Sequence, residues 1–268
     1  MARPFLKWAG GKRQLLPQLL QLVPKKYGRY WEPFVGGGAL FFDLQPEKAT
    51  LSDACYPLAQ AYLGVRDDVR GVIRRLALCK NEKEFFMRKR AAMPKVRNGT
   101  DPSSAEWAAW VIYLNKTCFN GLWRVNKKGE FNVPFAGNKN STVHLDRYTL
   151  GVASVALRKA EIYCGDFADI KPERGDFVYF DPPYAPLTAT SDFTSYTKDK
   201  FGVADHVRLR DFALELRERG VHVLISNSSG PLVRGLYASR FRITEVAARR
   251  SINSAGDKRG NVKELLIQ

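Results

Sequence analysis

The apolar positions along the chain follow two rhythms, a helical spacing and short unbroken runs, and the change from one to the other marks the elements. Leu15, Leu16, Leu19, Leu20 and Val23 recur at helical intervals, with Pro17 suited to a first turn and Pro24 closing the segment. Residues 30–35 and 49–52 read as strands, with a helical-looking 39–42 between them. The same alternation returns late in the chain, with a helix at 153–159, a strand at 161–164 and a solid apolar strand at Phe177–Phe180. Asp205 can cap a helix carrying Leu209, Phe212, Ala213 and Leu216, which Gly220 ends. Strands at 221–225, 241–246 and 265–267 complete the pattern.

The middle of the chain has another character. Residues 62–78, 82–92 and 105–114 read as helices separated by dense Arg and Lys, with a polar loop from Pro94 to Pro102. Residues 115–134 then alternate about the turn Asn126-Lys127-Lys128-Gly129, the pattern of a β-hairpin. The expected organisation is one α/β domain split by an insertion. Residues 1–56 and 160–268 form the two parts of the domain, and 57–159 form a helical and hairpin insertion.

Composition narrows the partners. A net charge of +16 on 268 residues, 45% of them hydrophobic, describes a globular chain suited to a polyanion. No apolar run is long enough for a bilayer and the amino terminus lacks a signal-peptide pattern, so nucleic acid is favoured over a membrane, with a merely solubilising surface as the alternative. Cys55, Cys79, Cys118 and Cys164 are scattered, as are the three histidines, so a reduced, cytoplasmic chain without a metal is expected.

Candidate chemistry gathers at strand ends. Gly36-Gly37-Gly38 between a strand and a helix lets backbone approach a cofactor closely, and Asp53 ends the next strand, where an acid typically binds ribose hydroxyls. Gly10-Gly11-Lys12 is not a triphosphate loop, because Arg13 stands where the hydroxyl belongs. Asp181-Pro182-Pro183-Tyr184 follows the strand at Phe177–Phe180, and proline forces that strand to stop. Alone, the tetrapeptide fits a turn as well as a site. A ribbon bearing Asn120, Arg124 and Lys127 fits a DNA major groove, and an aromatic tip such as Phe119 can wedge between bases; a decorated surface hairpin is the alternative.

Taken together, the chain resembles the Dam-type family of DNA adenine-N6 methyltransferases, in the motif order of its α-group and over nearly its whole length. The resemblance rests on Lys7-Trp8-Ala9-Gly10-Gly11-Lys12, Glu32-Pro33-Phe34-Val35-Gly36-Gly37-Gly38, Ser52-Asp53, Gly165-Asp166-Phe167 and Asp181-Pro182-Pro183-Tyr184, continued by Pro186 and residues 192–196. It implies a Rossmann-like methyltransferase sheet with an inserted DNA-recognition region, and S-adenosylmethionine as methyl donor. By resemblance, Trp8, Lys12, Asp53 and Asp181 contact the donor, with Phe34, Val35, Gly36, Asp166 and Phe167 completing its pocket. Asp181, Pro182 and Tyr184 would be catalytic, acting on a flipped-out adenine. Residues 119–124 and 132–135 resemble the family's GATC-reading hairpin, assigning DNA contacts to Phe119, Asn120, Leu122, Arg124 and Pro134. Trp123 departs from the small residue expected there, which bears on sequence preference. Relatives acting on glutamine carry Asn, and those acting on cytosine N4 carry Ser, where this chain has Asp181. An inactive DNA-binding regulator would need a damaged glycine loop or catalytic acid, and neither is seen.

Overall fold

The computed structural model describes residues 2–94, 101–137, 140, 142–185, 201–249 and 261–268. Seven strands make one sheet: β1 (Tyr30–Glu32), β2 (Ala49–Asp53), β3 (Ala160–Cys164), β4 (Phe177–Phe180), β5 (His222–Ser228), β6 (Ile243–Arg249) and β7 (Asn261–Ile267). Their order is β3-β2-β1-β4-β5-β7-β6. The first five are parallel, and β7 runs antiparallel between β5 and β6. The strand order reverses between β1 and β4, so a crevice opens at their carboxyl ends, where ligands bind in such sheets.

Around the sheet lie α1 (Leu16–Leu22), α2 (Ala39–Leu44), α3 (Tyr56–Asp67), α4 (Val69–Ala77), α5 (Lys83–Ala91), α6 (Ser104–Thr117), α7 (Arg147–Leu157), α8 (Val203–Glu218) and α9 (Pro231–Tyr237). β4 shows why an unbroken apolar run is needed. Phe177 and Tyr179 enter the core shared with α3, α6 and α7, while Val178 and Phe180 enter the one shared with α8 and α9. Successive side chains point to opposite faces, and both faces are covered. No helix among the described residues is long and apolar enough to cross a membrane.

Several elements differ from the pattern. The segment expected as one helix over 62–78 is two, α3 and α4, because Asp68 breaks the helix and takes the Gly71 amide at 2.8 Å as the cap of α4. α6 continues through Asn115 to Thr117, so the ribbon starts later than expected. It holds isolated bridges, Cys118 with Phe135 and Val125 with Phe131, around a 3-10 turn at Phe119–Gly121, rather than two continuous strands. Gly202, not Asp205, is the cap of α8; Asp205 sits inside the first turn and takes the Gly202 amide at 2.9 Å. α7 begins at Arg147, capped by Asp146. Residues 95–100 of the polar loop, Pro186 and residues 192–196 lie outside the described residues.

Candidate active site

The turn from β1 into α2 is shaped by two glycines. Gly36 (φ 47°) and Gly38 (φ 66°) lie in the left-handed region. A Cβ on Gly36 would sit 2.9 Å from Trp8 Cδ1, and one on Gly38 would sit 2.8 Å from the Tyr62 hydroxyl. The Gly36 amide donates to Asp53 Oδ2 (3.1 Å), the Cys55 amide to Asp53 Oδ1 (2.9 Å), and the Val35 amide to the Ser52 carbonyl (3.0 Å). The loop is thereby tied to the end of β2. Burial pushes the Asp53 carboxyl up to about 6, against the pull of its two amide donors.

Asp181 leaves the end of β4 into a set of fixed donors. Lys12 Nζ lies 2.7 Å from Asp181 Oδ1, with the two side chains only 5% and 19% exposed. Ser226 Oγ donates to the same oxygen at 2.7 Å. Burial raises the Asp181 carboxyl above its usual range, and Lys12 and Ser226 hold that rise back. Lys12 also donates to the Gly10 carbonyl at 2.5 Å and lies 4.6 Å above the centre of the Tyr184 ring. The Tyr184 hydroxyl donates to Glu264 on β7 at 2.5 Å. Ala185 is clamped by Asn227, which accepts its amide at 3.2 Å, and by Ser228, which donates to its carbonyl at 2.8 Å. Glu32, buried at the end of β1, is pushed up to about 8 by burial, partly countered by the Tyr30 hydroxyl bonded to it at 2.9 Å.

A cavity of about 1290 Å³ joins these groups. Trp8, Lys12, Phe34, Val35, Gly36, Asp53, Asp166, Asp181, Pro182 and Tyr184 all line it. Phe167 lies beneath the wall, stacked with Phe34 at 5.4 Å between centroids and 27° between planes. Arg208 of α8 grips Asp166 with two bonds of 2.8 Å and stands 4.3 Å over the Phe167 ring. Although burial pushes the Asp166 carboxyl up, the Arg208 bonds and the Ala168 amide outweigh it and leave the carboxyl below its usual range.

The ribbon meets this cavity at one point. Phe119, Asn120, Arg124 and Pro134 are exposed and Leu122 is half-buried, but of the five only Asn120 lines the cavity. Asn120 itself adopts φ 55°, which turns the tip of the 3-10 turn. Arg124 Nε donates to Asn132 Oδ1 at 2.8 Å, bracing the guanidinium across the ribbon. Trp123 points the other way. It is 1% exposed and stacks on Trp8 at 5.8 Å and 22°, so its size fills the core beneath the ribbon. Asn115 joins the same two regions, holding both the Lys7 backbone and the Gly121 carbonyl.

Sequence reading missed Ser226, Tyr179, Glu264, Arg208 and Asn115. Each acts through a partner at least 42 positions away in sequence.

Comparison with known proteins gives the family. The family profile described as D12 class N6 adenine-specific DNA methyltransferase matches residues 8–252. The chain is 44% identical to the type II methyltransferase M.MjaIII of Methanocaldococcus jannaschii, over 99% of this chain and 98% of that one. It is 42% identical to the type II methyltransferase M1.LlaDCHI of Lactococcus lactis, over 99% and 94%. It is 37% identical to the DNA adenine methylase of Escherichia coli, over 98% and 94%.

Proposed function

The chain belongs to the D12 class of N6 adenine-specific DNA methyltransferases, and on that premise we propose that it moves a methyl group from S-adenosylmethionine to N6 of an adenine flipped out of double-stranded GATC. The observation that carries this reading is the one-sided bonding of Asp181. Lys12 and Ser226 both occupy Oδ1, and among the described residues nothing engages Oδ2.

The residues present fit S-adenosylmethionine. The glycine turn lines the cavity, and a Cβ at Gly36 would drive into Trp8, so only glycine lets backbone and indole sit this close beside a bound group. Asp53 and Asp166, both on the cavity wall, would accept from ribose hydroxyls and the adenine amino group, and Phe34, stacked with Phe167, would offer an aromatic face. Trp8 and Val35 would close the pocket, and Lys12 would hold the floor through Asp181. When bound, S-adenosylmethionine supplies the methyl group as an electrophile.

Adenine N6 is a poor nucleophile because its lone pair is delocalised into the ring. Asp181 Oδ2 and the Pro182 carbonyl accept the two N6 hydrogens, which localises the lone pair. The same oxygens stabilise the positive charge that grows on nitrogen, an effect worth several kcal/mol in comparable sites. Tyr184, held by Glu264 and Lys12, presents a stacking face to the flipped base, worth roughly 1–3 kcal/mol. Asp181 need not be a strong base, since the methylated ammonium is very acidic.

Residues 57–159 are assigned to target recognition, in the cytoplasm where DNA is accessible. Phe119 would intercalate, Arg124 would present its guanidinium to guanine, and Asn120, Leu122 and Pro134 would contact neighbouring bases. The reading is tested with Asp181→Ala. Methyl transfer should fall by on the order of 10³-fold while DNA affinity, measured by fluorescence anisotropy, changes by less than about threefold. Equal loss of both would remove Asp181 from the chemistry.

A further inference from the structure

We propose that Tyr179 and Ser226 form a positioning relay that fixes which oxygen of Asp181 meets the substrate amino group. This rests on the reading of Asp181 as the N6 acceptor and deepens it. β4 and β5 are parallel neighbours with Tyr179 opposite Leu224 and Phe180 opposite Ile225, so Asp181 and Ser226 form the next rung. Tyr179 lies two residues before Asp181 on β4, and its side chain leaves the same face. Ser226 bridges the two: its Oγ lies 2.9 Å from the Tyr179 hydroxyl and 2.7 Å from Asp181 Oδ1.

The direction of the bonds follows from chemistry. An ionised carboxylate only accepts, so Ser226 must spend its single proton on Asp181. Its oxygen is then an acceptor towards Tyr179, whose phenol must donate. Tyr179 and Ser226 are 1% and 0% exposed, so water does not offer either hydroxyl a competing partner. The chain therefore reads Tyr179 to Ser226 to Asp181, each bond polarising the next.

A carboxylate turns over a broad, two-fold torsional range, and Lys12 alone would restrain it weakly because the ammonium also serves the Gly10 carbonyl. Ser226 donates from a rigid strand and sets the angle. With two donors on Oδ1, Oδ2 is the oxygen left for the substrate. Neither Tyr179 nor Ser226 touches the reacting atoms; both act through Asp181.

The test compares Ser226→Ala, Ser226→Thr, Tyr179→Phe, Ser226→Ala/Tyr179→Phe and Asp181→Ala, using full-length protein, GATC duplex DNA and saturating S-adenosylmethionine. Ser226→Ala should lower kcat by about 10- to 100-fold, the worth of a hydrogen bond to a charged group, with both KM values within about threefold. Threonine, which keeps the hydroxyl and suits a strand, should restore most of the rate. Tyr179→Phe should give a smaller loss, and the double variant should match Ser226→Ala, because Tyr179 acts through the serine. The acid limb of the kcat profile should move to higher pH in Ser226→Ala, since the serine donation that favours the ionised carboxylate is gone.

An unmoved pH limb in both Ser226→Ala and Tyr179→Phe, or additive losses in the double variant, would overturn the relay. If melting curves show Ser226→Ala unfolded, the rate and pH limb of Tyr179→Phe decide alone. An active Asp181→Ala would instead overturn the reading of the site, whereas an inactive one beside a fully active Ser226→Ala would overturn only the relay.

Discussion

Replacing Asn115 by alanine asks whether the amino-terminal segment and the ribbon at 118–135 are held as one body. Asn115 is fully buried, accepts the Lys7 amide at 2.9 Å, and donates to the Lys7 carbonyl at 2.7 Å and the Gly121 carbonyl at 2.9 Å. Alanine removes all three bonds and leaves one donor and two acceptors behind. The Gly121 bond is buried, so orphaning that carbonyl costs about 1–3 kcal/mol, while the two partly solvated Lys7 groups cost about 1 kcal/mol each. The orphaned groups, rather than the net worth of three neutral bonds, dominate the sum of about 3–5 kcal/mol. For a chain of this size that lowers Tm by on the order of 10 °C. Asn115→Asp should be at least as harmful, because its second oxygen would face two carbonyls. Differential scanning calorimetry reads the stability loss, and titration with S-adenosylmethionine and with duplex DNA reads the coupling; both affinities should fall. A melting point within about 2 °C of the parent would refute the estimate, and loss of DNA affinity alone would refute the coupling.

Three further outcomes follow from the geometry. Gly36→Ala puts a methyl group against Trp8 and a side chain at positive φ, a cost of about 1–2 kcal/mol from conformation alone, so the KM for S-adenosylmethionine should rise with little change in DNA affinity; an unchanged donor KM would contradict the cradle. Glu32 is held near 8 against an ordinary 4.5, so the folded state keeps a proton that the unfolded chain has released, and stability drains away as pH rises through that window. Glu32→Gln should remove this slope in melting curves from pH 5 to 9, and a pH-independent difference between the two proteins would refute it. Arg124→Ala should relax preference at one base position by about 1–3 kcal/mol in methylation of a randomised-site library, whereas a uniform loss across sequences would make Arg124 a phosphate contact.

The end of β4 that carries Asp181 was legible in sequence for a physical reason. Two prolines cannot continue a ladder, so the strand had to stop at Asp181 and aim it outward. The glycine turn and Asp53 were legible because backbone approach and a strand-end acid each leave a local mark. Asp68 was not legible, because an acid between two amphipathic stretches looks like one more polar-face position until its side chain is seen capping α4. Trp123 looked like a ribbon residue, yet alternation alone cannot tell which side of an irregular ribbon meets a core. Ser226 and Glu264 became visible only once β5 was known to pair with β4 and β7 with β5. Strand order is carried by long-range packing, which single-sequence periodicity does not encode. Arg208 was hidden for the same reason, since its grip on Asp166 joins residues 42 positions apart.

The account stands most directly on where the methyl group goes. Purified protein incubated with methyl-labelled S-adenosylmethionine and a plasmid, followed by base-resolved mapping, should place the label on adenine N6 within GATC, and Asp181→Ala should place none. Label on adenine in another context would correct the reading of the ribbon alone. Label on cytosine, or none on adenine, would contradict the central claim.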